Sequence, residues 1–158
     1  MPSTTSDKFP EGPQADEVAN QFPEGPWTQD MKYYPKNVYD FDCGQGIKIQ
    51  LRRMKHGYWN GYVSLPPNHP DYYRSYDHLE GISVHGGLTF SDEKGTFGFD
   101  TCHGGDMVPQ FVALEQKFGG NSTVSSLFGS SAHYWTFEET KAETFRLADQ
   151  FLERYHSQ

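Results

Sequence analysis

Apolar and polar residues alternate along the middle of the chain with the two-residue period of a half-buried strand. The alternation is strict over 47–52, aromatic and β-branched residues fill 58–65, and Phe97 and Phe99 flank a glycine. A proline-rich turn at 66–71 ends the second of these segments. Together they predict an antiparallel sheet with one face toward solvent.

The segment 82–91 shows the same alternation. Its apolar residues share one parity and its polar residues the other, so His85 is expected to point away from the core. Turn-forming residues follow at 92–95, which predicts a hairpin that pairs this segment with the strand around Phe99.

The last third of the chain has the period of an α-helix. Thr136 and Glu139 form a capping box, which satisfies amides at a helix start. A helix is predicted over about 137–156, with one apolar stripe formed by Ala142, Phe145, Ala148, Leu152 and Tyr155. A shorter helix is predicted over 108–117, ended by the glycine pair that follows it.

The predicted fold class is therefore α+β, an antiparallel sheet of about four to six strands with one or two helices packed on one face. The Ser/Gly-rich stretch 122–131 is predicted to be a flexible loop and a candidate lid.

Residues 1–30 have the composition of a flexible tail. Phe-Pro-Glu-Gly-Pro at 9–13 recurs at 22–26, and proline and glycine oppose both helix and sheet. The repeat is interpreted as a duplicated linker, with an alternative as two docking peptides for a partner or for a second subunit of a homo-oligomer. Trp27 favours order in the second copy. The predicted division is a tail at 1–30 and one α+β domain at 31–158.

Composition limits the classes of function. The chain has 158 residues and is 35% hydrophobic and 16% aromatic, so aromatic side chains must supply much of the core. A formal net charge of −8 argues against nucleic acid as a partner, because phosphate backbones bind cationic surfaces. No membrane-spanning or signal-like apolar run appears, which predicts a cytoplasmic protein without a membrane partner.

The residues with chemical potential are concentrated in 82–106. Two His-Gly-Gly triplets begin at His85 and His103, and Asp100 and Asp106 flank the second. If the predicted hairpin forms, these four side chains converge as an acid–base set, in which one imidazole accepts a proton, the other donates one, and each carboxylate orients a ring. We predict them as the catalytic residues.

Several neighbours are predicted to bind the small-molecule ligand. Glycine amides can form an anion-binding nest, Thr89 adds a hydroxyl, and aromatic rings can stack on a base or sugar. The predicted contacts are Gly86, Gly87, Thr89, Gly104, Gly105, Tyr62 and Trp59. About half of the aromatic residues over 58–76 are expected to serve the core instead. His69 and His78 are expected to face solvent.

Two alternatives use the same region. His85, His103 and Asp106, with Asp100 or Cys102, offer ligands for a divalent metal, but the sequence lacks established metal-ligand spacing, so a site without metal or cofactor is preferred. Cys43 becomes a nucleophile only if a histidine approaches it, and inert thiols are preferred for both cysteines. Whether they pair stays open.

The middle of the chain resembles a family of small uncharacterised proteins of bacteriophages and bacteria. The matching motifs are Gly-Tyr-Val at 61–63, Pro-Pro-Asn-His-Pro at 66–70, Val-His-Gly-Gly-Leu-Thr at 84–89, and Gly-Phe-Asp-Thr-Cys-His-Gly-Gly-Asp at 98–106. Family members often carry a Trp pair where Thr96-Phe97 stands here. The resemblance spans about 57–109 and implies the location of the site and a phage-type origin, without implying an activity.

These observations favour a small hydrolase of a nucleotide-like or other phosphate-bearing metabolite. A phage origin would place it in the host cytoplasm and favour a host signalling nucleotide as the substrate. The alternative is a non-catalytic module that sequesters the same kind of molecule. A third interpretation makes the N-terminal repeat a structural tether.

Overall fold

A five-stranded antiparallel sheet forms the centre of the protein. The computed structural model describes residues 22–117 and 132–156. The strands follow the spatial order β1-β2-β3-β5-β4; they are β1 Val38–Gly44, β2 Ile47–Arg53, β3 Trp59–Ser64, β4 Phe90–Ser91 and β5 Thr96–Asp100. The helices within these described ranges are α1 Thr28–Tyr33, α2 Pro109–Lys117 and α3 Phe137–His156, and a 3-10 turn spans Tyr76–His78. The predicted fold class is confirmed.

The core lies between one face of the sheet and α3. Ile47, Ile49 and Leu51 of β2 all point to this face and are fully buried, as the alternation predicts. The helix approaches β3 closely at Gly61, where a Cβ would lie 2.2 Å from Oγ1 of Thr144. Glycine at this position therefore sets the distance between the helix and the sheet.

The predicted helix over 137–156 is confirmed at both ends, but its buried face differs from the predicted stripe. The buried residues are Phe137, Thr140, Thr144, Leu147, Ala148 and Phe151, whereas Ala142 is exposed. The hydroxyls of Thr140 and Thr144 donate to the carbonyl oxygens four residues earlier, at 2.8 and 2.6 Å. These bonds satisfy the hydroxyl protons, so the two threonines enter the core.

The start of α3 is capped twice. Thr136 Oγ1 accepts the Glu139 amide at 3.1 Å, and Glu139 Oε1 accepts the Thr136 amide at 3.0 Å, which confirms the capping box. A second, distant acceptor comes from α1: Asp30 Oδ2 accepts the Phe137 amide at 2.8 Å. The first turn of α3 is thus tied to the N-terminal part of the domain.

The domain begins earlier than predicted. Trp27 is buried in the core and its indole donates to the Pro23 carbonyl at 2.9 Å, and Asp30 is buried as well. The second Phe-Pro-Glu-Gly-Pro copy therefore leads directly into the fold, and the predicted tail boundary at residue 30 is too late. The first copy, at 9–13, and the predicted lid at 122–131 lie outside the described residues.

The predicted strand at 82–91 is mostly a loop. A turn closes where the Gly87 amide donates to the Val84 carbonyl at 2.9 Å, and Gly86 and Gly87 both have positive φ. This left-handed backbone interrupts the strand that the alternation predicts, so only Phe90–Ser91 pair with β5. The hairpin around 92–95 is confirmed.

His69 is also placed differently from the prediction. It is 3% exposed, and its Nδ1 accepts the Asp71 amide at 3.0 Å, so Nε2 carries the proton and donates to the Phe151 carbonyl at 2.7 Å. His69 therefore fastens the proline-rich turn to α3. His78 is exposed, as predicted.

Candidate functional site

Two loops bring the predicted histidines together. His85 lies in the turn before β4, and His103 lies in the loop that follows β5. Their rings meet edge to face with centroids 5.8 Å apart. Since β4 and β5 are adjacent strands, the hairpin brings the two His-Gly-Gly triplets to the same end of the sheet.

Asp106 is the buried anchor of the cluster. The Nε2–H of His85 donates to its two carboxylate oxygens at 3.0 and 2.9 Å. Its Oδ2 also accepts the backbone amide of His103 at 2.9 Å. The Asp106 residue is 3% exposed, so these contacts hold one charged group beneath both histidines.

Asp100 lies beside the imidazole of His103. Its Oδ1 is 3.2 Å from Nδ1 of His103, which is within ion-pair distance, but the two groups are not oriented for a hydrogen bond. Nδ1 is therefore a buried nitrogen without a hydrogen-bond partner among the described residues. Its Oδ1 accepts the Cys102 amide at 3.0 Å, and its Oδ2 accepts the Thr89 hydroxyl at 3.1 Å. All four predicted catalytic residues and Thr89 therefore converge.

The four predicted glycines have different surroundings. At Gly86 (φ 69°) a Cβ would lie 2.4 Å from Cε1 of His103, so the imidazole packs on the glycine itself. At Gly87, Gly104 and Gly105 no described atom lies within 4 Å of the Cβ position. The amides of Gly86, Gly104 and Gly105 have no hydrogen-bond acceptor in the described part of the chain.

The predicted aromatic contacts are not brought to the cluster in an accessible form. Trp59 has no exposed surface, and its indole donates to Asp30 Oδ2 at 3.1 Å and to the Tyr134 hydroxyl at 3.2 Å. A side chain buried in this way cannot stack on a ligand. Tyr62 shares the sheet face of Asp100, but it is 6% exposed and its ring packs against Phe90.

Trp135 and Glu143 complete the site, and the sequence reasoning missed both. The Trp135 ring lies 4.1 Å from that of His85 at an angle of 35°, and Glu143 Oε2 accepts the His85 amide at 2.7 Å. A β-bridge between His133 and Asp106 brings Trp135, two residues further along the chain, next to His85. The contacts of Trp135 and Glu143 with His85 join residues that are far apart in sequence, so no local pattern predicts them.

Electrostatically the site is acidic. Hydrogen bonds from Arg146, and after it the His85 amide, hold the pKa of Glu143 below its usual value although burial opposes this. Burial first, and the charges of Cys102 and Asp100 after it, raise the pKa of Tyr58 to about 12. Among the described residues, the ion pairs of Asp100 and Asp106 are with histidine alone, not with Lys or Arg.

The two cysteines are free thiols. Burial, with Asp149 and Asp42 adding to it, raises the pKa of Cys43 to about 11. Burial and the nearby carboxylates also raise the pKa of Cys102. These directions disfavour a thiolate nucleophile.

Surface grooves elsewhere do not coincide with this cluster. A groove of about 480 Å³ beside α2 is lined by Lys55, His56, Gln110, Phe111 and Leu114. A second groove of about 510 Å³ shares Gln110 and Leu114 with it. None of the predicted site residues lines either groove.

The cluster can perform two kinds of chemistry. Imidazoles beside carboxylates can transfer protons to and from a bound molecule. Alternatively, one ligand atom each from His85, His103 and Asp106 lie within 4.8 Å of one another, close enough to surround one metal ion.

Comparison with known proteins supplies no identification. No protein-family model matches this chain, and neither does any curated protein or solved structure. In the described residues, no helix has the length and apolar character needed to cross a membrane.

Proposed function

We propose that this protein is a hydrolase of a phosphate-bearing small molecule, with a nucleotide-like compound as the preferred substrate class. His85, His103, Asp100 and Asp106 form its catalytic centre. The observation that carries the proposal is their convergence: side chains from two loops meet around one buried carboxylate, with His85 Nε2 2.9 Å from Asp106.

The exposure of the four side chains supports a reacting centre. The side chain of Asp106 is 4% exposed, that of Asp100 is 24% exposed, and those of His85 and His103 are 23% and 32% exposed. A buried group orients the cluster and three partly accessible groups face the ligand. This gradient suits a site that holds polar groups in place while it admits a substrate.

The phosphate preference rests on the backbone around His103. The amides of Gly86, Gly104 and Gly105 lack acceptors in the described part of the chain, and free amides beside a histidine suit a phosphoryl oxygen. A host signalling nucleotide would be such a substrate. The cytoplasm is the proposed compartment, and a small molecule rather than nucleic acid is the proposed partner.

The test is turnover of a panel of phosphate esters by the untagged full-length chain. The panel contains p-nitrophenyl phosphate, bis(p-nitrophenyl) phosphate, dinucleotides and cyclic dinucleotides, each assayed in EDTA and with added Zn²⁺, Mn²⁺ or Mg²⁺. We expect release of phosphate or mononucleotide, reduced about 100-fold or more in His103→Ala. The exposed His78→Ala is the matched control and should retain wild-type rates.

The outcomes separate catalysis from sequestration. In a hydrolase, His103→Ala loses turnover while its affinity for the ligand stays within about tenfold of wild type. Tight binding of a panel member with no product would replace the hydrolase with a sequestering module. Absence of both binding and turnover across the panel would refute the proposal.

A further inference from the structure

The distances in the cluster are those of ligands around a single ion. Donor atoms of a tetrahedral ion with bonds of about 2.0–2.1 Å lie about 3.3 Å from one another. Here His85 Nε2 is 2.9 Å from Asp106 Oδ2, and His103 Nδ1 is 3.7 Å from Asp106 Oδ2 and 3.2 Å from Asp100 Oδ1. The ligand atoms of His85, His103 and Asp106 all lie within 4.8 Å of one another.

One of these atoms is not satisfied by hydrogen bonding. Nδ1 of His103 is buried and makes no hydrogen bond in the described part of the chain, although Asp100 lies within ion-pair distance. A buried polar atom without a partner is costly, and an ion would satisfy it. The ring is held in place by Gly86, where a Cβ would lie 2.4 Å from Cε1 and 2.5 Å from Nδ1.

The surroundings resemble the outer contacts of a metal centre. Asp106 Oδ2 accepts the His103 amide at 2.9 Å, and Glu143 accepts the His85 amide at 2.7 Å. The hydrogen bond to Asp106 orients a carboxylate that would bind the ion, as outer hydrogen bonds do in metal centres. The Trp135 ring packs against that of His85 at 4.1 Å with a tilt of 35°.

Charge also favours a cation. Asp100 and Asp106 contribute two negative charges. The guanidinium of the nearby Arg146 pairs with Glu143 at 2.8 Å and not with these carboxylates. One divalent ion would balance the two carboxylates.

We infer that His85, His103 and Asp106 bind a divalent transition-metal ion, for which two imidazoles and a carboxylate favour zinc, with Asp100 beside it. A catalytic role for this ion rests on the proposed function, whereas the binding site itself does not depend on it. The imidazoles are then ligands rather than the acid and base predicted from the sequence.

The ion would also explain how an acidic site accepts a phosphate ester. Water bound to zinc has a pKa of about 7, and it would pass its proton to Asp100. The resulting hydroxide forms the new P–O bond, the P–O bond to the leaving group breaks, and the leaving oxygen takes the proton from Asp100.

The experiment measures metal binding without reference to activity. Untagged full-length protein is stripped with chelator, dialysed and titrated with Zn²⁺ by calorimetry, and with Co²⁺ by visible absorption. We expect one ion per chain. We expect at least a tenfold loss of affinity in His85→Ala, His103→Ala and Asp106→Asn, in line with the 10- to 100-fold loss known even for outer contacts, and no change in the matched control His78→Ala.

A measurement on the wild-type chain guards against misfolded variants. Histidine ¹⁵N spectra should show Nε2 of His85 and Nδ1 of His103 shifting on zinc addition while His78 stays unchanged. No stoichiometric binding, or binding that leaves both imidazoles unshifted, overturns the inference. Metal bound through these residues without turnover of any ester overturns the hydrolase instead. Turnover in EDTA by metal-free protein keeps the hydrolase and overturns the catalytic role of the ion, while the titration alone decides the binding site.

Discussion

The imidazole of His103 rests directly on the α-carbon of Gly86. A Cβ at residue 86 would lie 2.4 Å from its Cε1, and the φ of 69° already disfavours any other residue there. Gly86, in the first His-Gly-Gly triplet, therefore leaves the space that the imidazole of His103 occupies. This contact explains, in packing terms, why a glycine follows His85.

Gly86→Ala is expected to displace His103. The positive φ should lower the free energy of unfolding by about 1–3 kcal/mol. The clash of the new Cβ with the His103 imidazole should also disrupt the site and weaken Zn²⁺ affinity about tenfold or more. The matched control is Gly87→Ala, which has a φ of 80° but open space at the Cβ position. It should lose similar stability and keep its zinc affinity. Equal zinc affinities in the two variants would contradict the packing argument.

Asp30 is expected to be a major determinant of stability. Its Oδ2 accepts the Trp59 indole at 3.1 Å, the Tyr134 hydroxyl at 2.5 Å and the Phe137 amide at 2.8 Å. Asp30→Ala removes this acceptor from the buried Tyr134 hydroxyl and Phe137 amide, and leaves the Trp59 indole with the Tyr134 hydroxyl at 3.2 Å. The loss should lower the free energy of unfolding by about 3 kcal/mol or more.

Urea denaturation followed by tryptophan fluorescence measures this loss. Asp77→Ala is the control, because Asp77 is exposed and its substitution should change stability by about 0.5 kcal/mol or less. If Asp30→Ala unfolds within that same margin, the network contributes little to the fold.

The sequence predicts those parts of the fold whose signal is local. The alternation in β2 and the Thr136–Glu139 capping box need only neighbouring residues, and both are confirmed. The prediction of a strand over 82–91 is largely wrong. Apolar and polar residues do alternate there, but the backbone has positive φ at Gly86 and leaves the extended conformation. Hydrophobic parity alone does not report that turn.

The candidate site divides in the same way. His85, His103, Asp100 and Asp106 stand close in sequence and their convergence follows from one hairpin. Trp135 and Glu143 contact His85 from at least 50 residues away, through a bridge and a helix whose packing no local pattern encodes. The residue type of Trp59 suggests a ligand contact. Its side chain lies on the sheet face that α3 covers, however, and is fully buried in the core.

The thiols are expected to react slowly. With the pKa of Cys43 raised to about 11 by burial, its thiolate fraction at pH 8 falls by about two orders of magnitude relative to a free cysteine. Iodoacetamide labelling at pH 8, followed by intact-mass spectrometry, should modify the folded chain far more slowly than the urea-unfolded chain. Rapid labelling of either thiol in the folded state would revive the cysteine nucleophile.

Asp71 and Arg154 are expected to make stability depend on pH in the acid range. The Asp71 side chain is 2% exposed and meets Arg154 at 2.6 and 3.0 Å. Burial alone would raise the pKa of Asp71, but the hydrogen bonds and charge of Arg154 reverse this and hold it below its usual value. A carboxylate with a lowered folded pKa contributes stability that is present above its unfolded pKa of about 3.9 and is lost as pH falls through the folded pKa.

Asp71→Asn should therefore cost about 2 kcal/mol at pH 7. The gap from wild type should begin to close as pH falls below about 4, where Asp71 of the unfolded chain takes up a proton, and should be lost once pH falls through the lowered pKa of the folded chain. Urea unfolding at a series of pH values from 7 downward measures the gap. Asp149→Asn, an exposed position on α3, should stay within about 0.5 kcal/mol of wild type throughout. A gap for Asp71→Asn that is constant with pH would mean that the pair fixes the turn through its shape rather than through its charge.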